Sequence, residues 1–218
     1  MNYGLTGATG KMGKEIVNVF KEHSLVLAVN SKGEELHGTP RVMVDFSSRG
    51  ALDRTLAICA RHGAALVVGT TALQDDDLTK LRKYGETAPV VQSYNFATGV
   101  NLLKMILREY APLFGDWDLE IVETHHNKKK DAPSGTAILL RDATGRDCPT
   151  HSLRVGGVPG DHAVLFGNDG EVVTFAHRAI ARNVFAIGAL RAALFTLTAK
   201  AGFYTFEDVL KNTRGENP

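Results

Sequence analysis

The stretch NYGLTGATGKMG, Asn2 to Gly13, decides how the rest of the chain is read. It leaves an apolar β-type segment, passes three glycines and enters KMGKEIVNVFKEH, where Met12, Ile16 and Phe20 recur every four residues on one helical face. Strand, glycine turn and helix in that order turn a weak glycine pattern into the signature of a dinucleotide site. The first glycine allows a tight turn, the next lets backbone approach a pyrophosphate, and the last lets the helix pack on the strand. The helix start then offers N–H groups to the phosphates. Gly7, Ala8, Thr9, Gly10, Lys11 and Met12 are therefore the expected pyrophosphate contacts. A P-loop is excluded, because it needs Gly at position 5 and Ser or Thr at 12, where the chain has Leu5 and Met12.

Downstream of that turn, short apolar runs alternate with helical patterns up to residue 96: LVLAVN, RVMVDFS, a helix near 50–62, ALVVGTT, a helix near 75–84, and PVVQSYNF. This is the pattern of an α/β, Rossmann-like, doubly wound parallel sheet. The pattern changes after Phe96. A helix with Leu102, Leu103, Ile106 and Tyr110 on its expected apolar face leads to LEIVETHH, and AVLFGNDGEVVTFAHRA reads as a hairpin turning at Asn168-Asp169-Gly170. A second α+β domain with a mixed or antiparallel sheet is expected. The tail returns to helix, with Val184, Ile187, Leu190 and Leu194 as its expected stripe and a short helix in FEDVLK. The expected domains are 1–97 for the dinucleotide, with 183–218 packing back on it, and 98–182 for substrate and oligomerisation.

Of 218 residues, 44% are hydrophobic and 22% charged, the balance of a globular protein, and the net charge of +1 gives no field to draw nucleic acid or an anionic membrane. Neither partner is expected. The N-terminus has no signal-peptide layout and no apolar run approaches a membrane span, so a cytoplasmic protein is expected. Cys59 and Cys148 form no CxxC pair, and Cys59 shares a helical face with Leu52 and Leu56 as a buried thiol would.

The densest chemistry is Glu123-Thr-His-His-Asn-Lys-Lys-Lys-Asp-Ala-Pro-Ser-Gly-Thr136. Adjacent His125 and His126 point to opposite faces of a strand and so take different roles. Nothing has the spacing of a metal motif, and no metal is expected. Ser134 is a good N-cap for the helix in AILLRDA, whose first N–H groups and positive end would hold a carboxylate. Lys128, Lys129 and Lys130 stand just before it, and one of the three is expected to take part. At the end of the second strand, Asn30-Ser31-Lys32 stands where an acidic ribose ligand is usual. Without that carboxylate a 2′-phosphate is not repelled, and Lys32 can attract one, so NADPH is as plausible a cofactor as NADH.

The sequence resembles 4-hydroxy-tetrahydrodipicolinate reductases, long called dihydrodipicolinate reductases, over nearly its whole length. The family signature Glu-x-His-His-x-x-Lys-x-Asp-Ala-Pro-Ser-Gly-Thr is matched by Glu123, His125, His126, Lys129, Asp131 and Pro133 to Thr136. The resemblance singles out Lys129 among the lysines. It implies cofactor contacts at Gly69, Thr70 and Thr71 and at Ser93, Tyr94, Asn95 and Phe96, besides the glycine turn and Asn30. Arg154 to His162 and Phe185 to Leu190 resemble further segments of these proteins. Asn30 departs from the family's acidic residue, and the loops are short for the family.

That resemblance implies hydride reduction of a small cyclic dicarboxylate in lysine biosynthesis, with loss of its hydroxyl as water. Lys129, Gly135 and Thr136 would grip a carboxylate, His126 would add a substrate contact, and His125 or Lys129 would deliver the proton. With the cofactor expected on the first domain and the basic motif on the second, closure about residues 93–98 and the return near 182 is expected, and the resemblance implies a homotetramer formed through the second sheet. Two rivals remain at this point. A semialdehyde dehydrogenase needs an activated cysteine, for which neither Cys59 nor Cys148 is placed. A non-catalytic dinucleotide sensor needs no His125, Lys129 and helix-start site together.

Overall fold

The computed structural model describes residues 1–212; residues 213–218, the end of the expected 183–218 segment, lie outside the described residues. The chain divides into two compact units, one of Met1–Phe96 with the segment beginning at Asn183, the other Ala97–Arg182.

The first unit begins with β1 (Asn2–Thr6), α1 (Lys11–Val19), β2 (Ser24–Asn30) and β3 (Gly33–Leu36). It continues with β4 (Val42–Asp45), α2 (Leu52–His62), β5 (Ala65–Val68), α3 (Asp75–Gly85) and β6 (Pro89–Gln92). The seven-stranded sheet runs in the order β11-β6-β5-β4-β1-β2-β3, where β11 is Gly202–Thr205. All pairings are parallel except the β2–β3 hairpin. Every residue of β4 and β5 is buried, as strands covered on both faces require. Met43, Leu66, Val68 and Val90 pack against Leu52, Ile58 and Cys59 of α2 and Leu81 of α3. Alternate residues face the other way, and there α1 packs with α6 (Asn183–Thr196). α7 (Phe206–Asn212) follows β11.

Three elements of this unit differ from the sequence reading. β3, GEEL, is a polar edge strand without an apolar alternation, and β11 is only four residues long. On α6 the expected stripe is not the buried one: Ile187 is 51% and Leu194 44% exposed and Val184 and Leu190 are half-buried, while Ala186, Ala189, Ala192, Ala193 and Thr196 are buried. Both stripes have helical spacing. The small one wins because the helix lies so close that a Cβ on Gly188 would collide with the Phe96 carbonyl oxygen.

The second unit holds α4 (Thr98–Tyr110), β7 (Asp118–His125), α5 (Gly135–Thr144), β8 (Thr150–Arg154), β9 (Gly160–Gly167) and β10 (Val172–Ala179). Its sheet runs β10-β9-β7-β8 and is mixed, since β7 and β8 are parallel and the other neighbours antiparallel. The expected hairpin closes between Gly167 and Val172, with Asn168 Oδ1 accepting from Gly170 N and Glu171 N at 2.8 and 3.0 Å. On α4 the buried stripe is Val100, Leu103 and Leu107, continued by Ala111 just past its end, whereas Leu102, Ile106 and Tyr110, expected inside with Leu103, are exposed. The two stripes are again equivalent in spacing, and only the position of the sheet chooses between them. Leu119, Ile121, Val164 and Phe166 form the buried face of the sheet. The opposite face, with Val122, Ala163 and Leu165, is half-exposed.

Candidate active site

In the first unit the glycine turn borders a cleft of about 560 Å³. Gly7 adopts φ +88°, a conformation other residues rarely take, and its N–H bonds the Val29 carbonyl at 2.9 Å. A Cβ on Gly13 would stand 2.7 Å from the Ala8 carbonyl oxygen, so only glycine lets α1 start this close to β1. Gly10 is the N-cap of α1 and no side chain caps its first turn, which leaves the helix start available to an anion.

Of the residues named from the sequence, Gly7, Thr9, Gly10, Lys11, Met12 and Asn30 line this cleft and Ala8 does not; Phe46, Ser47, Ser48 and Arg54, which the sequence reading missed, line it too. Gly69 to Thr71 and Ser93 to Phe96 are not among its lining residues. Thr70 acts from beneath, its hydroxyl donating to Asp45 Oδ1 at 2.9 Å and accepting from Ser47 N at 3.1 Å. The buried Asp45 also takes hydrogen bonds from the Thr55 hydroxyl at 2.7 Å and Ser47 N at 3.0 Å. Phe96, fully buried, packs between Phe46 and Phe206 at ring distances of 5.4 and 5.0 Å. Ser93 Oγ donates to the Asn95 carbonyl at 2.7 Å. The tight turn, the uncapped helix start and a lining without any Asp or Glu fit a nicotinamide dinucleotide.

In the second unit the signature stretch is organised around Glu123, whose side chain is fully buried. Residues two apart on β7 share a face, so Glu123 lies beside His125 and pairs with its Nδ1. In the parallel register His125 is opposite Arg154 of β8. The Arg154 guanidinium grips both Glu123 oxygens, at 3.0 and 2.7 Å, and also donates to the Asp131 carbonyl at 2.6 Å. Ser134 N donates to Glu123 Oε1 at 3.2 Å. Burial pushes the Glu123 carboxyl up, but the bonds from Arg154, Ser152 and His125 outweigh it and hold the group down at about 2.

Ser134 caps α5 as expected, its Oγ accepting from Ala137 N at 3.1 Å, and the same oxygen meets His162 Nε2 at 3.2 Å. His162 packs edge-on against His125 with ring centres 5.1 Å apart. Burial lowers both imidazoles, His162 to about 4, while Glu123 opposes the fall at His125. Lys129 is half-buried and bonds Asp131 at 2.8 Å, whereas Lys128 and Lys130 are exposed. His126 turns the other way along the backbone: its N–H bonds the Val158 carbonyl at 2.8 Å, and its buried Nδ1 has no partner among the described residues. One carboxylate thus fixes the ring of His125 and the start of α5 together. Arg154 and His162 were visible in the sequence only as a family segment, because cross-strand register leaves no mark in composition. Cys59 is buried in the core of the first unit, where burial pushes its thiol far up, so it is no nucleophile.

Residues 1–96 match the family model described as dihydrodipicolinate reductase, N-terminus, and residues 99–210 the one described as dihydrodipicolinate reductase, C-terminus. The chain is 48% identical to the 4-hydroxy-tetrahydrodipicolinate reductase of Thermosipho africanus over 97% of this chain and 98% of the relative. It is 37% identical to that of Zymomonas mobilis over 95% and 96%. Among solved structures, a dipicolinate-bound dihydrodipicolinate reductase from Paenisporosarcina superposes with a TM-score of 0.79 at 21% identity, covering 94% of this chain and 97% of that one. The fold, the glycine turn, the Glu123 cluster and these relatives agree: the chain belongs to the 4-hydroxy-tetrahydrodipicolinate reductase family and is an oxidoreductase.

Proposed function

We propose that the protein reduces 4-hydroxy-tetrahydrodipicolinate to tetrahydrodipicolinate with loss of water, in the diaminopimelate route to lysine, using NADH or NADPH. The observation that carries this reading is the Glu123 cluster, which sets an oriented imidazole and a lysine beside a helix start suited to a carboxylate. When bound, the nicotinamide supplies the hydride. Lys129 and the first turn of α5, at Gly135 and Thr136, hold one carboxylate of the substrate, and His126 adds a further contact. The ammonium exchanges its Asp131 partner for the substrate, so the loop is preset without a substrate present. His125 keeps Nδ1 on Glu123, and Nε2 is the atom at which its ring gains and gives a proton. Burial keeps that ring neutral, and an arriving dicarboxylate favours its protonation by simple charge attraction. The ring therefore takes up its proton from solvent as the substrate binds.

No helix among the described residues is long and apolar enough to cross a membrane, and the proposed place of action is the cytoplasm. The half-exposed face of the second sheet supports assembly as a homotetramer.

The test is oxidation of NADH and NADPH with freshly generated substrate, comparing Lys128→Ala, Lys129→Ala and Lys130→Ala. A charge-assisted contact contributes about 1.5–3 kcal/mol, so Lys129→Ala should lower kcat/KM at least about tenfold and affect kcat and KM together. The two neighbours should change little. Equal, mild losses from all three would reduce the loop to diffuse positive potential, and no turnover in the unaltered protein would dismiss the reaction.

A further inference from the structure

We propose that Arg54 is a specificity-determining residue that recognises the 2′-phosphate of NADPH, an inference that rests on the dinucleotide reading of the cleft. Arg54 lies on α2, outside the glycine turn and outside the β2–β3 turn that follows Asn30. Its Nη1 donates to the Asn30 carbonyl at 3.0 Å, which brings the guanidinium to the carboxyl end of β2. This is the corner where such folds place the ribose. The Nε is held by Glu34 Oε1 at 3.3 Å, and the other oxygen of Glu34 takes Arg61 at 3.3 Å. Arg54 lines the cleft and Glu34 does not. Its lining therefore presents two cations, Lys11 and Arg54, and no carboxylate.

Asn30 does not replace the missing acid. Its Oδ1 already accepts from Lys32 N at 2.8 Å within the turn, and a neutral amide oxygen has one lone pair left for a ribose hydroxyl, where a carboxylate would bring a charge and two oxygens. A phosphate is an acceptor-only dianion, and Arg54 offers it a positive charge and the Nη2 donor, which neither Glu34 nor the Asn30 carbonyl takes. Arg54 is also preset, because Glu34 and the Asn30 carbonyl already fix its orientation.

Calorimetric titration of the full chain with 2′,5′-ADP and AMP, and with NADPH and NADH, isolates the one phosphate. The unaltered protein should bind 2′,5′-ADP and NADPH at least about tenfold more tightly than AMP and NADH. Arg54→Gln should erase that ratio while AMP and NADH affinities stay within about twofold, and Arg54→Lys should restore part of it. Equal weakening of both ligands in Arg54→Gln would mean that the residue only supports the Asn30 loop, and it would overturn the proposal, as would an unaltered protein with no preference. Failure of the dinucleotide reading looks different: neither NADH nor NADPH would bind the unaltered protein, and the proposal would fall with it.

Discussion

At the scale of single residues, His162 carries a consequence for stability. Its ring is buried and its Nε2 serves Ser134, so the folded state holds it neutral down to about pH 4, against an ordinary value of 6.5. The unfolded chain takes up a proton below 6.5 that the folded chain refuses, and stability is therefore complete above 6.5 and lost as the pH falls toward 4. Glu123, held at about 2 in place of 4.5, works in the same direction over a lower window. At pH 5 the His162 contribution amounts to about 2 kcal/mol, or about 4–8 °C in Tm. Scanning calorimetry should show a flat Tm from pH 7 to 8, a fall by pH 5, and a much weaker fall in His162→Gln. If the mutant keeps the full slope, another group is responsible. The alternation of β7 made the opposite facing of His125 and His126 legible in the sequence, but the Glu123–His125 pairing on the shared face was not read from it. The Arg154 clamp was not legible, because it depends on which residue of a parallel neighbour falls opposite His125. Likewise, three adjacent lysines are indistinguishable by composition, and it is the half-buried setting and Asp131 partner that set Lys129 apart.

The elements separate two roles of glycine in one turn. Gly10 sits at an extended N-cap, where its added Cβ would meet only the Gly7 carbonyl oxygen at 3.2 Å, and aspartate is itself a favoured N-cap. Gly10→Asp should fold with Tm unchanged or raised, yet lose NADH and NADPH binding because its carboxylate faces the pyrophosphate. Gly13→Ala should do the reverse in part: the collision with the Gly7 and Ala8 carbonyls must push α1 off β1, lowering Tm by several degrees, as overpacking costs about 1–3 kcal/mol, and weakening both cofactors alike. Titration calorimetry and thermal melts of the two variants decide; undiminished affinity in Gly10→Asp would remove the cofactor assignment. The strand–turn–helix order was legible because glycine chemistry is local. The buried faces of α4 and α6 were not, since a helix with apolar residues on two sides gives the same periodicity whichever side is covered. Hydrophobicity favours the larger side chains, and close packing favoured the smaller ones on α6.

For the molecule as a whole, the open face of the second sheet matters most. Ala163 stands between Val122 and Ala176 in register, and Leu165 lies opposite Glu120 and Thr174, giving an apolar centre on a half-exposed surface. If four copies meet there, Leu165→Glu places repelling carboxylates beside Glu120 in each of them. Sedimentation should then show smaller species with unchanged circular dichroism, and an unchanged mass would move the contact elsewhere. The order of the strands has a different consequence, one of timing. The first unit is interrupted by the whole of the second, and its sheet is completed only when β11 pairs with β6 and α6 covers β4, β5 and β6. While the chain is being made, Val90 and Val91 therefore stand at an unpaired edge until residue 205 has emerged, although the second unit has by then all its strands. The sheet that begins at Asn2 is the later of the two to close, and the exposed edge of β6 is where a stalled or truncated chain would first stick to another.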